Sequence, residues 1–266
     1  MSMSIGCVGC GNMGGAILAG PAASSLDCTL YGHTRTAARM APLEAAGVTR
    51  LDSARELARK ARYVVMAVKP YQIEALLAEM APEFGPDTVV ISVAAGISIA
   101  RLQAAVGGRC PVVRCMPNTP ALVGKGVFAL CFDDKVPAQS KEDILSFFSQ
   151  LGVYLELPES RFTAFSALIG AGPAYVFGMM QGLVQAGVTL GLGRKECRDM
   201  VAALLERSAV MAARSDTPLM ELRDQVCSPG GLTIAGVNVL DRVGLSGLLV
   251  DAVLAADQRG REMEKE

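Results

Sequence analysis

Residues 4–20 read SIGCVGCGNMGGAILAG: an apolar run, then closely spaced glycines, then small residues suited to a helix. A GxGxxG sequence between a strand and a helix is the setting in which proteins bind dinucleotides. Gly9 permits the tight turn, Gly11 lets a pyrophosphate approach the backbone, and Gly14 lets the helix pack against the strand. The free N–H groups and the dipole of the helix N-terminus favour the phosphates. This stretch predicts a Rossmann-type domain, with a ligand-free glycine turn as the alternative.

Further strand-like runs follow at the spacing of β-α-β units. Continuous apolar runs such as VVMAV at 64–68 are typical of parallel strands that are buried on both faces. The predicted strands span residues 4–8, 28–31, 48–51, 63–68, 88–93, 110–115, 127–131 and 153–157, with a helix over 140–151. The predicted fold class is therefore α/β: a doubly wound, Rossmann-type sheet of about eight strands in residues 1–157, followed by an all-α dimerisation domain in residues 158–266.

Ligands of such a sheet bind at the carboxyl ends of its strands. The fourth, fifth and sixth predicted strands run into loops of small residues and proline. Asn118 lies between two prolines, on a stiff loop that is suited to holding a nicotinamide or a substrate; a rigid turn without a ligand is an equal alternative. The candidate residues in these loops are Ala67, Val68, Lys69 and Pro70, then Val93, Ala94 and Ala95, and finally Asn118.

The second strand runs into GHTRTAAR at 32–39, and this stretch indicates which dinucleotide binds. An NAD site usually has Asp or Glu about 20 residues after the glycines, and neither occurs here. His33, Thr34 and Arg35 instead offer a guanidinium and a hydroxyl group, which suit a 2′-phosphate. NADPH is the favoured cofactor and NADH the alternative. Arg35 and Arg39 could instead be the solvated first turn of a helix.

Residues 162–193 carry no formal charge, and Pro173 fits the start of a predicted helix over 173–190. A helix that is apolar all round must be covered on every side, and few residues of this half remain to cover it. We therefore predict an intertwined homodimer, with assembly of dimers into a higher oligomer left open. Length alone would also permit a membrane span, but glycines and two glutamines interrupt the run, so no membrane is expected.

Helices are also predicted over 194–215 and 218–225, and the sequence VCSPGGLTI follows at 226–234. Its glycines, and a helix opening at Thr233, would present free N–H groups as a cradle for a carboxylate. An ordinary helix cap is the alternative. This loop predicts a small-molecule substrate that carries an acid group.

Composition excludes several other classes of protein. A net charge of −1 without a basic block argues against nucleic acid as a partner. The single histidine excludes a multi-His metal site and a Ser-His-Asp triad at a separate centre. Cys7 and Cys10 form a CxxC, but no second pair follows at zinc-site spacing, so no metal is predicted. The sequence has eight cysteines and no signal sequence at its N-terminus, a combination that indicates reduced thiols in the cytoplasm.

Five motifs together resemble the pyrroline-5-carboxylate reductase family. They are IGCVGCGNMGGAIL at 5–18, AVKP at 67–70, MPNTPA at 116–121, GPAY at 172–175 and, most specific, CSPGGLTIAGVNVLD at 227–241. The resemblance implies a Rossmann domain joined to a helical dimerisation domain. It also implies reduction of L-1-pyrroline-5-carboxylate to L-proline with NAD(P)H, by hydride transfer to the imine carbon.

The resemblance also implies roles for particular residues. Ser228, Gly230, Gly231 and Leu232 would hold the substrate carboxylate, and Thr233 would face the ring nitrogen as the catalytic group. The cofactor would be lined by the 67–70 and 93–95 loops, by the region of Thr34 and Arg35, and by the glycine turn. In that turn the candidate residues are Val8, Gly9, Cys10, Gly11, Asn12, Met13 and Gly14.

The chemistry agrees with the scarcity of histidine. A cyclic imine is basic enough to be protonated near neutral pH, and hydride addition then gives a neutral amine without a separate proton donor. A β-hydroxyacid dehydrogenase would need a lysine on the long helix, and residues 162–193 contain none. The remaining alternatives are an NADP(H)-binding sensor without turnover and a reductase of another cyclic imino acid.

Overall fold

The computed structural model describes residues 3–24 and 26–264. The chain divides into two compact units. One comprises the residues up to Ala171 together with the end of the chain from Asp257, and the other comprises Gly172–Ala256. The domain boundary that we predicted after residue 157 lies at the end of the sheet, and the compact units divide 14 residues later, after Ala171.

The described part of the first unit contains a single sheet of eight strands in the order β3-β2-β1-β4-β5-β6-β7-β8. The strands are β1 (Met3–Val8), β2 (Cys28–His33), β3 (Thr49–Arg50), β4 (Tyr63–Met66), β5 (Val89–Ser92), β6 (Val112–Met116), β7 (Gly126–Phe132) and β8 (Gly152–Glu156). The Rossmann-type sheet of about eight strands is thereby confirmed. The order reverses between β1 and β4, which is the point where such sheets bind dinucleotides.

The sheet is mixed rather than fully parallel, because β7 runs antiparallel to β6. A parallel connection needs a crossover of a dozen residues or more. Between Met116 and Gly126 the chain makes only a short 3-10 turn (Thr119–Val123), which ends at Gly124 in the left-handed region with φ +67°. The chain therefore turns straight back, and β8 then pairs parallel with β7.

Helices cover both faces of the sheet, so the central strands are buried on both sides. Every residue of β4 and β5 is buried, as the continuous apolar runs predicted. One apolar core packs around Ile17 and Phe148, and a second core on the other face packs around Leu57 and Leu77. The helices of this unit are α1 (Asn12–Ala22), α2 (Ala41–Ala45), α3 (Ala54–Lys60), α4 (Pro70–Met80), α5 (Ile99–Ala105), α6 (Ala138–Ser149) and α7 (Phe162–Phe165).

The second unit is helical, as predicted. It contains α8 (Gly172–Thr189), α9 (Arg194–Ala213), α10 (Leu219–Gln225), α11 (Leu232–Arg242) and the first part of α12 (Leu245–Met263). Its own core is small, centred on Val184, Cys197 and Val201. Many large apolar side chains remain exposed in the single chain, among them Phe177, Leu204, Met211, Leu248 and Leu254.

The helical run Glu159–Thr189 is long and apolar enough to cross a membrane, judged on length and composition alone. The exposed apolar side chains extend beyond it, onto α9, α11 and α12. A surface spread over several helices in this way is typical of a large subunit interface.

Candidate cofactor and substrate sites

The glycine turn follows β1 and leads into α1. Gly9 has φ +97°, its N–H donates to the His33 carbonyl at 2.8 Å, and the Gly11 N–H donates to the Gly9 carbonyl at 2.8 Å. A Cβ on Gly9 would lie 2.7 Å from the Ala67 carbonyl oxygen, and a Cβ on Gly14 only 2.3 Å from the Gly9 carbonyl oxygen. Both glycines are therefore required by backbone neighbours that cannot move aside.

The N-terminus of α1 has the features of an anion site. Gly11 precedes the helix without a side-chain cap, and the first turn has no acidic residue. The first backbone hydrogen bond back to the cap comes from the Gly15 N–H, at 2.7 Å from the Gly11 oxygen. The N–H groups of Asn12, Met13 and Gly14 lie before that bond and point out of the helix end, where they can bind phosphate oxygens.

Two more predicted loops lie at the same edge of the sheet. The Ala67 N–H donates to the Val8 carbonyl at 2.8 Å, and the Val93 N–H donates to the Met66 carbonyl at 3.1 Å. The residues that follow β1, β4 and β5 are thus brought side by side. Lys69 is exposed just before α4, and Ala95 is exposed beyond β5. Their contacts with a cofactor remain predictions.

The segment after β2 brings a cation over the glycine turn. His33 ends β2, and its Nδ1 lies 3.0 Å from the Leu51 carbonyl, so its ring is tied to the neighbouring segment. Thr34 is half-buried and Arg35 is exposed. Arg39 reaches further: its Nη1 lies 2.9 Å from the place that a Cβ on Gly11 would take. This approach of Arg39 to Gly11 was not predicted from the sequence.

Cys7 and Cys10 lie beneath the glycine turn and are almost completely buried. A hydrogen bond with Cys10, together with full burial, raises the pKa of the Cys7 thiol. The Sγ of Cys10 lies 3.7 Å from the carbonyl oxygens of Cys7 and His33. These thiols are therefore part of the packing under the turn, and they are shielded from reagents in solvent.

Asn118 follows β6, and both polar atoms of its side chain are used within the protein. Its Oδ1 accepts from the Val127 N–H at 2.9 Å, and its Nδ2 donates to the Ile169 carbonyl at 3.3 Å. The residue is only 7% exposed. The amide thus holds the start of β7 to a π-helical turn (Ser166–Gly170). This geometry favours the rigid-turn alternative for its side chain, and substrate contact remains a prediction.

The second unit contains the predicted carboxylate loop between α10 and α11. Gly230 has φ +66°, and the Gly231 N–H donates to the Ser228 carbonyl at 3.0 Å. Gly231 precedes α11 without a side-chain cap, and a Cβ on it would lie 2.2 Å from the Ser228 Oγ. Leu232 is 96% exposed, and Thr233 is also exposed. The loop therefore presents N–H groups and a hydroxyl at an open helix N-terminus.

An ion pair joins the two helices that flank this loop. The Arg223 guanidinium lies 3.3 Å from an oxygen of Asp241 and 3.0 Å from one of Asp224. The hydrogen bond to Asp224 is the main cause that raises the pKa of Arg223. The pair is part of the surface, so its contribution to stability is modest.

Known proteins that are similar to this chain over its whole length share one description. Residues 159–263 match the family profile described as pyrroline-5-carboxylate reductase dimerisation, and residues 4–96 match the profile of coenzyme F420-dependent NADP oxidoreductases. The chain is 32% identical to a pyrroline-5-carboxylate reductase of Escherichia coli K12, over 100% of both chains. It is 34% identical to that of Pseudomonas aeruginosa, over 97% of this chain and 96% of the relative.

Solved structures agree. The pyrroline-5-carboxylate reductase of Coxiella burnetii is 30% identical and superposes with a TM-score of 0.90, covering 99% of each chain. The pyrroline carboxylate reductase of Plasmodium falciparum, solved with NADP bound, is 30% identical with a TM-score of 0.86, covering 98% of each chain.

Proposed function

Because this chain belongs to the pyrroline-5-carboxylate reductase family, we propose that it reduces L-1-pyrroline-5-carboxylate to L-proline with NADPH, the last step of proline biosynthesis. The observation that carries the proposal is the pair of open helix N-termini, one behind the glycine turn and one behind the 228–231 loop. The first suits the phosphates of a dinucleotide and the second suits a carboxylate. A dinucleotide sensor would have no use for the second.

The glycine turn fits a dinucleotide on geometric grounds. The space over Gly11 is limited only by the flexible end of Arg39, so a phosphate can approach the backbone there. The residues that would hold the cofactor are the turn and the neighbouring loops, as the sequence predicts. When bound, NADPH supplies a hydride from C4 of its nicotinamide ring.

In the proposed mechanism, the chain's own residues bind and orient the substrate. The N–H groups at the start of α11 donate to its carboxylate, and the Thr233 Oγ accepts from the N–H of the protonated imine. No residue has to deliver a proton, because the iminium becomes a neutral amine. The single histidine, His33, has its ring against the Leu51 carbonyl and is not needed as a proton donor. Catalysis then depends on placing the imine carbon and excluding water.

The test of this function is the loss of NADPH absorbance with purified protein and racemic pyrroline-5-carboxylate, with pyrroline-2-carboxylate as a parallel substrate. Oxidation of NADPH with the 5-carboxylate alone is the expected result. Turnover with the other imine alone would replace the proposed substrate with a different cyclic imino acid. Tight NADPH binding without reduction of either imine would favour a sensor instead.

Replacing the two arginines singly separates their roles in cofactor binding. We expect Arg35→Ala to raise the KM for NADPH about tenfold or more and leave that for NADH nearly unchanged, because its guanidinium pairs with the 2′-phosphate. We expect Arg39→Ala to raise both KM values, because its guanidinium lies at Gly11, where the pyrophosphate shared by the two cofactors binds. Initial rates with each cofactor provide the measurement.

Exposed Lys125, outside the proposed site, provides the control for a lost surface cation. We expect Lys125→Ala to change neither KM value. Equal effects of Arg35→Ala on both cofactors would show that Arg35 does not contact the 2′-phosphate.

We propose that the self-association of this family takes the form of an intertwined homodimer here, built from residues 158–266. The proposed contact surface consists of the apolar side chains of α8 and α12 that are exposed in the single chain. We propose that these side chains face a second subunit rather than a membrane. Assembly of dimers into a higher oligomer would appear as a further multiple of the chain mass of 27.8 kDa.

A double substitution tests this surface. Phe177→Asp with Leu254→Asp places two charges where the single chain is already exposed, so we expect the fold to survive and the dimer to dissociate. Light scattering after size exclusion gives the mass. Val153→Asp, on exposed strand β8 outside the dimerisation region, is the matched control and leaves the dimer intact. A double variant with the mass of the wild type would place the interface elsewhere.

We further propose that the protein acts in the cytoplasm. All eight cysteines lie in the described part of the chain, and each of them is a free thiol. Free thiols of this number suit a reducing compartment. Fractionation of cells that express the full chain, followed by immunodetection, tests the location.

A further inference from the structure

Strand β6 contains a charged residue that neither the cofactor turn nor the carboxylate loop uses. The side chain of Arg114 is only 6% exposed. One nitrogen lies 3.1 Å from an oxygen of Glu159, and another lies 3.1 Å from an oxygen of Glu264, near the end of the chain. The guanidinium also stacks on the ring of Phe162, at 4.7 Å from its centre. A buried cation needs such partners, because leaving it unpaired is costly.

Glu159 has a second partner that connects this cluster to the loop of residues 93–98. Its Oε1, the oxygen that faces Arg114, also accepts from the Ile99 N–H at 2.7 Å. Ile99 is the first residue of α5, directly after the loop. At the other end, the Ala94 N–H donates to the Oγ of buried Ser92 at 3.3 Å. The 93–98 loop is thus fixed at both ends.

The position of this loop in the sheet indicates which half of a dinucleotide it would face. A 2′-phosphate would bind at the end of β2, so the adenosine half would lie on that side of β1. β5 lies two strands from β1 in the other direction, at about 10 Å. The 93–98 loop would therefore face the nicotinamide half.

We propose that Arg114 and Glu159 are positioning residues for the proposed reduction: they hold the 93–98 loop against the nicotinamide half of NADPH, and Glu264 supports them from the end of the chain. This inference rests on the proposed function for the identity of the cofactor. Arg114 and Glu159 act through the loop and do not themselves touch the cofactor.

The decisive experiment compares two ligands in one variant. Glu159→Ala removes the acceptor for the Ile99 N–H and one partner of Arg114. We expect the Kd for NADPH to rise about 3- to 30-fold, the range usual for residues that act through others. The Kd for adenosine 2′,5′-bisphosphate, which lacks the nicotinamide half, stays within about twofold of the wild type, since the glycine turn is untouched. Calorimetric titration measures both ligands without turnover.

Three further variants complete the design. Glu156→Ala, on β8 and three strands from β5 in the sheet, breaks a more exposed ion pair with Lys141 of α6 and changes neither Kd. Glu264→Gln raises the Kd for NADPH less than Glu159→Ala does. It likewise leaves the Kd for adenosine 2′,5′-bisphosphate unchanged. Arg114→Lys keeps a buried positive charge and serves as the test if Glu159→Ala does not fold.

An equal loss of affinity for both ligands, or no loss for NADPH, would overturn the proposal and leave the cluster a purely structural one. If the wild-type protein binds NADPH but reduces no imine, only the proposed function is refuted. The comparison of the two Kd values would still test whether Arg114 and Glu159 position the 93–98 loop.

Discussion

Replacing Gly14 with alanine raises the Kd for NADPH about 100-fold or more, because the new methyl group has no space. Its Cβ would lie 2.3 Å from the Gly9 carbonyl oxygen and 2.9 Å from the Cys7 Sγ. The carbonyl belongs to the turn itself, so relief of the clash must move the N-terminus of α1 away from β1. The N–H groups that are proposed to bind phosphate would then lose their direction. Fluorescence titration with NADPH measures the effect.

The neighbouring residue provides a matched control. Gly15 lies in the same helix, and a Cβ on it meets no atom within 4 Å. Gly15→Ala should therefore bind NADPH as the wild type does, and the lower entropy of alanine stabilises the fold by up to about 1 kcal/mol. Circular dichroism of both variants separates a lost fold from a lost site. NADPH affinity of Gly14→Ala equal to that of Gly15→Ala would remove the glycine turn from the cofactor site.

Much of the first unit could be predicted because its strands are defined by local pattern. Continuous apolar runs locate β4 and β5 to within two residues, since burial on both faces requires them. The direction of β7 was not predictable in the same way. Its apolar pattern fits either direction, and the short connection after β6, rather than the strand sequence, determines that it runs antiparallel.

The sites show a similar division between local and distant information. The glycine turn and the 228–231 loop are each contained in one short stretch, so their shape could be read from the residues. The contacts of Asn118 with Ile169 and of Arg114 with Glu159 and Glu264 join residues that are far apart in the chain. Nothing in a local pattern indicates such partners. A buried arginine within a predicted strand was the one available signal.

Arg39 is an intermediate case. Its charge near the end of β2 was visible, but a helical first turn would have directed it into solvent. The chain instead forms a short 3-10 turn (Ala37–Arg39) after β2 and brings the guanidinium back to Gly11. The approach depends on how the segment after β2 folds against the glycine turn, which is a tertiary property.

In the second unit, the uncharged run of the sequence already indicated that a partner subunit covers α8. Residues 162–193 have no charge, yet Phe177 and Leu183 on α8 remain exposed, and Val184 is the only buried residue of that helix. The family's dimerisation profile covers this region, so a second copy of the chain accounts for the excess of apolar residues. A free-standing monomer would leave it unexplained.

Replacing Thr233 with alanine should lower kcat/KM by roughly 10- to 150-fold, because one hydrogen bond to a charged group is lost. Thr233 is the second residue of α11 and is exposed, so the substitution leaves the packing of the chain unchanged. In the proposed mechanism the hydroxyl acts on the iminium nitrogen, whereas the backbone N–H groups of the same turn would still bind the carboxylate. Steady-state kinetics with saturating NADPH measure the loss.

Two conservative variants decide whether the hydroxyl itself is responsible. Thr233→Ser keeps the oxygen and should retain most of the activity, while Thr233→Val keeps the shape and should behave like Thr233→Ala. Binding of L-proline, measured by calorimetry, should weaken less than kcat/KM in Thr233→Val, because the carboxylate cradle consists of backbone groups. Unchanged kinetics in both Thr233→Ala and Thr233→Val would remove Thr233 from the mechanism. The reaction would then depend on the placement of the carboxylate alone, since an iminium needs no proton from the protein before it accepts a hydride.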